Sequence, residues 1–254
     1  MSYLTDYHVH TNYSDGTMRP VDLVKKFKDD GYDLIAITDH DTVGGIMEAE
    51  IAGEAVELKV IPGIEISAKI DVDGQDSEVH ILGYHIDPKN KELLETCEKL
   101  LQYRRDRNNL VVKKLEEMGY ELKLEELIKV PGVDFVGKPD FVRAFEEKGI
   151  KMEDPWEFLA SIPKTRITAQ EAINVIRAAG GIAVLAHPMK IRELRPQEEG
   201  FFERLDPVVR ELRKGGLKGM ECYHPSADDD DSLKLVQVAG KYHLHITKGS
   251  DFHG

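Results

Sequence analysis

A chain of 254 residues that is 41% hydrophobic and 32% charged can bury a full single-domain core. Its 21 glycines and 11 prolines are spread rather than pooled, which excludes a low-complexity or disordered chain. A formal charge of −13 excludes a broad grip on duplex nucleic acid, which needs many Lys and Arg to neutralise phosphates, but not the binding of a small phosphorylated molecule. No apolar run reaches the roughly 20 residues of a bilayer span, and MSYLTDYHVH lacks the regions of a signal peptide, so a cytoplasmic location is expected. The cysteines, Cys97 and Cys222, make neither a disulfide framework nor a thiolate site, so any metal must sit on nitrogen and oxygen.

Strand-like runs near Leu4–His8, Leu34–Thr38, Val60–Glu65 and Val79–Tyr84 alternate with amphipathic stretches at Pro20–Asp30 and Gly44–Val56. The alternation predicts βα units around a parallel sheet. From Pro88 to about Thr168 it stops, and Leu93, Cys97, Leu100 and Leu101 fall at helical spacing, which predicts a helical insertion packed on the rest. The alternation resumes with helices at Thr168–Ala179, Glu203–Lys214 and Asp230–Lys241 and strands near Ile182–Ala186, Gly219–Tyr223 and Leu244–Lys248. Pro20 opens a helix and Gly180-Gly181 closes one, as their backbone preferences favour.

Ligand-type side chains gather where these strands end. His8 and His10 flank Val9, and residues two apart in an extended segment project to one side, so both imidazoles can face one ion. Asp15 follows in HVHTNYSDG; Asp39, His40 and Asp41 end the second strand and Glu65 the third, and His80 lies in the fourth. His187 ends the fifth, Glu221, Tyr223 and His224 the sixth, and Asp251 and His253 follow the seventh. The C-terminal ends of barrel strands are the face on which barrel enzymes build their sites. Seven of the ten histidines fall at these positions and none in a predicted helix, which scattered polar residues would not do. Imidazole and carboxylate without thiolate suit Mn²⁺, Zn²⁺ or Fe²⁺, and so many donors imply two or three ions sharing carboxylates, for which Glu65 and Asp251 are the candidates. His85, His243, His245 and Trp156 read as surface or packing residues.

In this order, HVHTNYSDG, ITDHDT, GIEIS, HILGY, AHP and GSDFHG resemble the motifs of the polymerase and histidinol phosphatase (PHP) superfamily, specifically its small stand-alone metal-dependent phosphoesterases. The resemblance implies an α/β fold, a distorted (β/α)7 TIM-like barrel made of residues 1–87 and 169–254, with 88–168 as a helical insertion capping the substrate. It implies His8, His10, Asp15, His40, Glu65, His80, His187, Asp251 and His253 as ligands of two or three divalent ions, Mn²⁺ first, with Zn²⁺, Fe²⁺ or Mg²⁺ as alternatives. His224 and Asp251 are the candidate catalytic residues, with Asp39 and Asp41 expected to orient His40.

The reaction implied is hydrolysis of a phosphomonoester or terminal phosphodiester by a water shared between two cations, without a Ser or Cys nucleophile. The subgroup points to nucleoside 3′,5′-bisphosphates losing the 3′-phosphate, or to short single-stranded RNA trimmed 5′→3′. Histidinol phosphate is the alternative substrate. From other classes stand C–N hydrolysis of amidohydrolase type, for which Lys248 is the nearest candidate for a metal-bridging lysine, and a non-catalytic metal-binding subunit.

The chain departs from the subgroup where an Arg-Pro-His segment is common and Gly137-Lys138-Pro139-Asp140 stands here. Lys138 can meet a phosphate as a point charge but without the fork of Arg, and Asp140 is either a replacement ligand or a helix cap. Arg104, Arg105 and Arg107 resemble an arginine-rich segment that holds a substrate phosphate in such proteins; the alternative is a solvated helix face. Lys190 and Arg192 are further phosphate candidates. The chain ends at Gly254, where relatives continue into a closing helix.

Overall fold

A computed structural model describes residues 3–72 and 74–254. The first half runs β1 (Thr5–Val9), α1 (Pro20–Asp29), β2 (Leu34–Ile37), α2 (Ile46–Val56), β3 (Lys59–Val72) and β4 (Gln75–Tyr84). Helices α3 (Lys91–Glu117), α4 (Lys138–Lys148) and α5 (Pro155–Ser161) follow. The second half runs β5 (Ile167–Thr168), α6 (Ala169–Ala178), β6 (Ile182–Leu185), α7 (Phe201–Gly215), β7 (Gly219–Tyr223), α8 (Asp229–Lys241) and β8 (His245–Lys248).

Local chemistry sets the helix starts. Asn90 caps α3 by accepting from the Leu93 amide at 3.0 Å, and Asp228 caps α8 through the Asp231 amide at 2.8 Å. At α6, Thr168 and Glu171 form a reciprocal capping box, with the Glu171 amide donating to Thr168 Oγ1 at 3.1 Å and the Thr168 amide to Glu171 Oε2 at 2.7 Å.

The sheet is a nearly closed barrel in the order β1-β2-β3-β4-β6-β7-β8, with β5 pairing on the outer half of β3. The seam is bridged by Val9 and Phe252, whose carbonyl accepts from the His10 amide at 2.9 Å. Leu34, Ala36, Ile61, Leu82, Tyr84 and Val184 fill the barrel, while Ile35 and Ile37 face the other way into the larger core under the helices. Strands covered on both faces read as unbroken apolar runs, which is why LIAI shows no alternation.

The sheet is not wholly parallel, as the alternation predicted. Strand β4 runs antiparallel to both β3 and β6. Its connection to β3 is a tight turn at Gly74, where φ is +83°, and a short connection can only reverse the chain. His80 therefore enters the site from the middle of a reversed strand, opposite Ser67, rather than from a C-terminal end.

Helices α3, α4 and α5 share a separate apolar cluster, in which Val111 and Leu115 of α3 meet Phe141, Phe145 and Leu159. Along α3 the stripe Leu93, Leu100, Arg104, Arg107, Val111 and Leu115 is buried, so two arginines share the packed face and Arg105 lies off it. No helix among the described residues is long and apolar enough to cross a membrane.

Candidate metal centre and phosphate cleft

Glu65 sits at the centre of the site, fully buried on β3. Its Oε2 lies 3.2 Å from His8 Nε2, 3.3 Å from His10 Nε2 and 3.1 Å from His40 Nδ1; its Oε1 lies 2.9 Å from both His80 Nδ1 and His187 Nε2. Asp251 Oδ1 is 3.2 Å from His10 Nε2, and Asp15 Oδ1 is 3.2 Å from His253 Nε2. Three groups are spaced to hold an ion: His10, Asp15, His40 and His253; His8, His10, Glu65 and Asp251; and His40, Glu65 and His80. Eight of the nine expected ligands fall in these groups, and the ninth, His187, touches Glu65.

The donor set fits divalent cations. His8 Nε2, both ring nitrogens of His10, His40 Nδ1, Asp15 Oδ1 and Glu65 Oε2 are buried without a hydrogen-bond partner, although buried polar atoms are almost always paired. Tautomers are also set for binding. His8 Nδ1 donates to Glu221 Oε1 at 3.1 Å, which turns Nε2 toward Glu65, and His253 Nδ1 donates to the Asp251 carbonyl at 2.7 Å, which turns its Nε2 toward Asp15. Glu221 also takes the His187 amide at 2.9 Å, holding that residue at φ +25°. Its role escaped the sequence reading. A Cβ at Gly249 would collide with His8 and the Glu221 carboxylate, so glycine is required there. Glu221→Gln is expected to weaken metal binding by about 10- to 100-fold, read by metal titration; unchanged affinity would show that His8 needs no partner to orient it.

The loops after β2 correct two expectations. Asp39 does not orient His40: it takes the Thr11 amide and the hydroxyls of Thr11 and Ser14, each at 2.7 Å, and so shapes the loop carrying Asp15. Asp41, at φ +57°, accepts from the Ser67 amide at 2.8 Å and from Arg104. Asp140 lies inside the first turn of α4 rather than ahead of the helix: its Oδ2 reaches back to take the Gly137 amide at 2.8 Å, and its Oδ1 pairs with Arg143 at 2.7 Å and Lys129 at 3.0 Å. His224 stands behind Asp251, outside the lining of the cleft, with Nδ1 accepting from the Ser226 amide at 2.9 Å and Nε2 facing Asp251 Oδ2 at 3.3 Å. It is therefore placed to position Asp251 rather than to touch substrate.

Burial alone would discharge His10, but the carboxylates of Asp251 and Glu65, 3.2 and 3.3 Å from its Nε2, outweigh it and carry the imidazole to about 10. Burial is likewise outweighed at His80, where the charge of Glu65 raises it to about 9, whereas burial wins at His40 and pushes it down to about 3. A group raised above its unfolded value of 6.5 contributes stability that is complete below that pH and lost as pH rises through the folded values of about 9 and 10. Chelator-treated protein is thus expected to melt progressively lower from pH 7 to 10, and metal-loaded protein to hold, because cations replace the protons. A flat melting profile for the chelated protein would show these imidazoles neutral.

A cleft of about 540 Å³ opens above this floor. Asp15, His40, His80, His187, Asp251 and His253 face it from the barrel, and Arg104, Lys138, Lys164, Arg166, Lys190 and Arg192 bring positive charge to its walls. Arg104 is 8% exposed, stacked 4.0 Å over Phe135. Arg105 is turned away, paired with Asp134 at 2.6 Å and Glu98 at 3.1 Å. Arg107 is buried behind the wall, 5.6 Å over Phe141 and donating to Asn108; burial pushes it down to about 10. Neither Arg105 nor Arg107 lines the cleft. Lys164 and Arg166 were missed, since nothing in SIPKTRIT marks them apart from other surface cations. Lys248 is exposed at the end of β8 and does not line the cleft, whereas Glu65 is fully buried among the imidazoles.

The PHP domain family model matches residues 6–178. The phosphoribosyl 1,2-cyclic phosphate 1,2-diphosphodiesterase of Eggerthella lenta is 28% identical over 99% of this chain and 94% of its own. The 5′-3′ exoribonuclease Rnm of Escherichia coli is 30% identical over 98% of this chain and 84% of its own, and the 3′,5′-nucleoside bisphosphate phosphatase of Chromobacterium violaceum 26% over 98% and 86%. A Bifidobacterium adolescentis structure described as a metal-dependent phosphoesterase superposes with a TM-score of 0.83 at 29% identity, covering 100% of this chain and 89% of that one. With its barrel, its histidine and carboxylate floor and its match to that model, the chain belongs to the PHP domain family of metal-dependent phosphoesterases.

Proposed function

We propose that the chain hydrolyses a phosphate ester of a nucleotide, either the 3′-phosphate of a nucleoside 3′,5′-bisphosphate or the terminal phosphodiester of a short single-stranded RNA, in the cytoplasm. The observation that carries this is one cleft with a floor of cation ligands and walls of Lys and Arg, which suits a substrate bearing more than one phosphate. Relatives named for an exoribonuclease and for a 3′,5′-bisphosphate phosphatase support it.

Two or three divalent ions, Mn²⁺ first, would be held by His8, His10, Glu65 and Asp251, by His10, Asp15, His40 and His253, and by His40, Glu65 and His80, with His187 beside Glu65. When bound, such ions polarise the phosphoryl group and make water nucleophilic near neutral pH. The chain's own residues do the rest. Arg104, held rigid between Asp41 and Phe135, meets the phosphoryl oxygens from the wall. Lys190, which lines the cleft and donates to Asp251 Oδ2 at 2.5 Å, offers a second phosphate contact beside the floor. His224 keeps Asp251 turned toward His8 and His10. The insertion, residues 88–168, caps the cleft and keeps bulk water from the ester.

The test is phosphate release from adenosine 3′,5′-bisphosphate with Mn²⁺, beside chelator-treated and His8→Ala protein. Release abolished in both controls is the expected result. No release from this ester, from short RNA or from histidinol phosphate while metal is bound would overturn the proposal.

A further inference from the structure

Trp156, the chain's only tryptophan, packs less than its size would predict. It sits in the first turn of α5, is 51% exposed, and lines the same cleft as His40, His80 and Asp251. Helix α5 buries Leu159 instead, so its anchoring does not use the indole. Leaving so large a ring in water forgoes its burial energy, and apart from histidines no other aromatic side chain lines the cleft.

Lys138, Lys164 and Arg166 line this cleft as well. Glu78 is the carboxylate that meets two of them, taking Arg166 at 2.5 Å and Lys164 at 3.4 Å. Lys138 makes no ion pair among the described residues, and Arg166 Nε is buried without a partner, as is the Nε of Arg104. Asp76 and Glu193 also line the cleft but are engaged elsewhere, by Lys69 at 2.6 Å and the Ser77 hydroxyl at 2.5 Å, so the free Lys138 and the unpaired Nε atoms leave room for a further anion.

We propose that Trp156 is a nucleobase platform and that Lys138, Lys164 and Arg166 hold the phosphate that is not hydrolysed, so that the cleft selects a nucleotide unit with a phosphate on each side of its ribose. The selection rests on the phosphoesterase reading above and adds its specificity determinants. A base has a π-face that an indole can stack on whatever its sequence, and the unhydrolysed phosphate neutralises the cation set. Base-free sugar phosphates lose the first contact and nucleoside monophosphates the second.

A single tryptophan makes the test direct, because all indole emission reports this site. Emission of the Mg²⁺-loaded protein is followed on rapid mixing with adenosine 3′,5′-bisphosphate, with a 5′-phosphorylated dinucleotide and with ribose 5-phosphate. Quenching by the nucleotides and not by the sugar phosphate is expected, and the stronger of the two nucleotides identifies a free or a strand-end substrate. By calorimetry, Trp156→Ala should bind the bisphosphate about 5- to 150-fold more weakly and ribose 5-phosphate unchanged, with Trp156→Phe restoring most of the difference. Lys164→Met with Arg166→Met should erase the preference for bisphosphate over monophosphate. Equal quenching by sugar phosphate and nucleotides, or a Trp156→Ala protein with unaltered preference, overturns the inference. Metal-dependent hydrolysis alongside either result leaves the phosphoesterase standing; selective quenching without hydrolysis of any ester supports the platform and overturns the catalytic reading.

Discussion

Glu65→Gln is expected to lower kcat/KM by about 10³-fold or more and to leave the protein short of at least one bound ion per chain. Both oxygens of Glu65 face imidazoles, Oε2 those of His8, His10 and His40 and Oε1 those of His80 and His187, so it is the side chain best placed to serve two cations at once. Glutamine keeps the shape but has no charge and only one acceptor oxygen. Losing several kcal/mol of charge stabilisation at a metal floor corresponds to three powers of ten or more in rate. Without metal, the same change strands protonated imidazoles in a fully buried site, and breaking such a pairing costs about 3–5 kcal/mol. Metal content, steady-state kinetics and melts of the chelated protein read the three effects separately. Full metal occupancy with activity within tenfold of the parent would remove Glu65 from the centre of the site.

Arg104→Met is expected to act twice. It breaks a buried pair, leaving Asp41 with only the Ser67 amide at 2.8 Å and hydroxyl at 3.1 Å, which should cost about 3–5 kcal/mol of stability. It also removes from the cleft wall a guanidinium with an unpaired Nε, which should raise KM for a phosphorylated substrate about tenfold or more. Adding Asp41→Asn separates the effects: the double variant should regain most of the stability, because no buried charge is left alone, and none of the affinity. A double variant that regains both would make Arg104 a structural residue, and one that regains neither would place the lost stability in the stacking on Phe135.

The metal floor was largely legible because its chemistry is local. A pair of histidines two apart on a strand, and a carboxylate or imidazole where strands end, can be counted along the chain. Even the choice among the arginines was available in part: Arg104 and Arg107 continue the buried stripe of Leu93 and Leu100, and Arg105 breaks it. That stripe does not say which buried arginine reaches the cleft. Arg107 turns to Asn108 and the Leu159 carbonyl inside the insertion, while Arg104 crosses to Asp41 on the barrel.

By itself, then, the sequence determined the alternation of strands and helices and the gathering of ligand-type side chains where strands end, since each follows from spacing within a short segment, and its ordered motifs carried the resemblance to the family. Only the tertiary structure decided the reversal of β4, which brings His80 in from mid-strand, and the partnership of Glu221 with His8 across 213 residues. It alone placed Asp39 under the β1–α1 loop, Asp140 in the first turn of α4 bonded back to Gly137, and Lys164, Arg166 and Trp156 over the floor. The physical reason is common to all of these. Periodicity records which face of an element is buried, whereas a partner on another element depends on how that element packs, and no local pattern carries that distance.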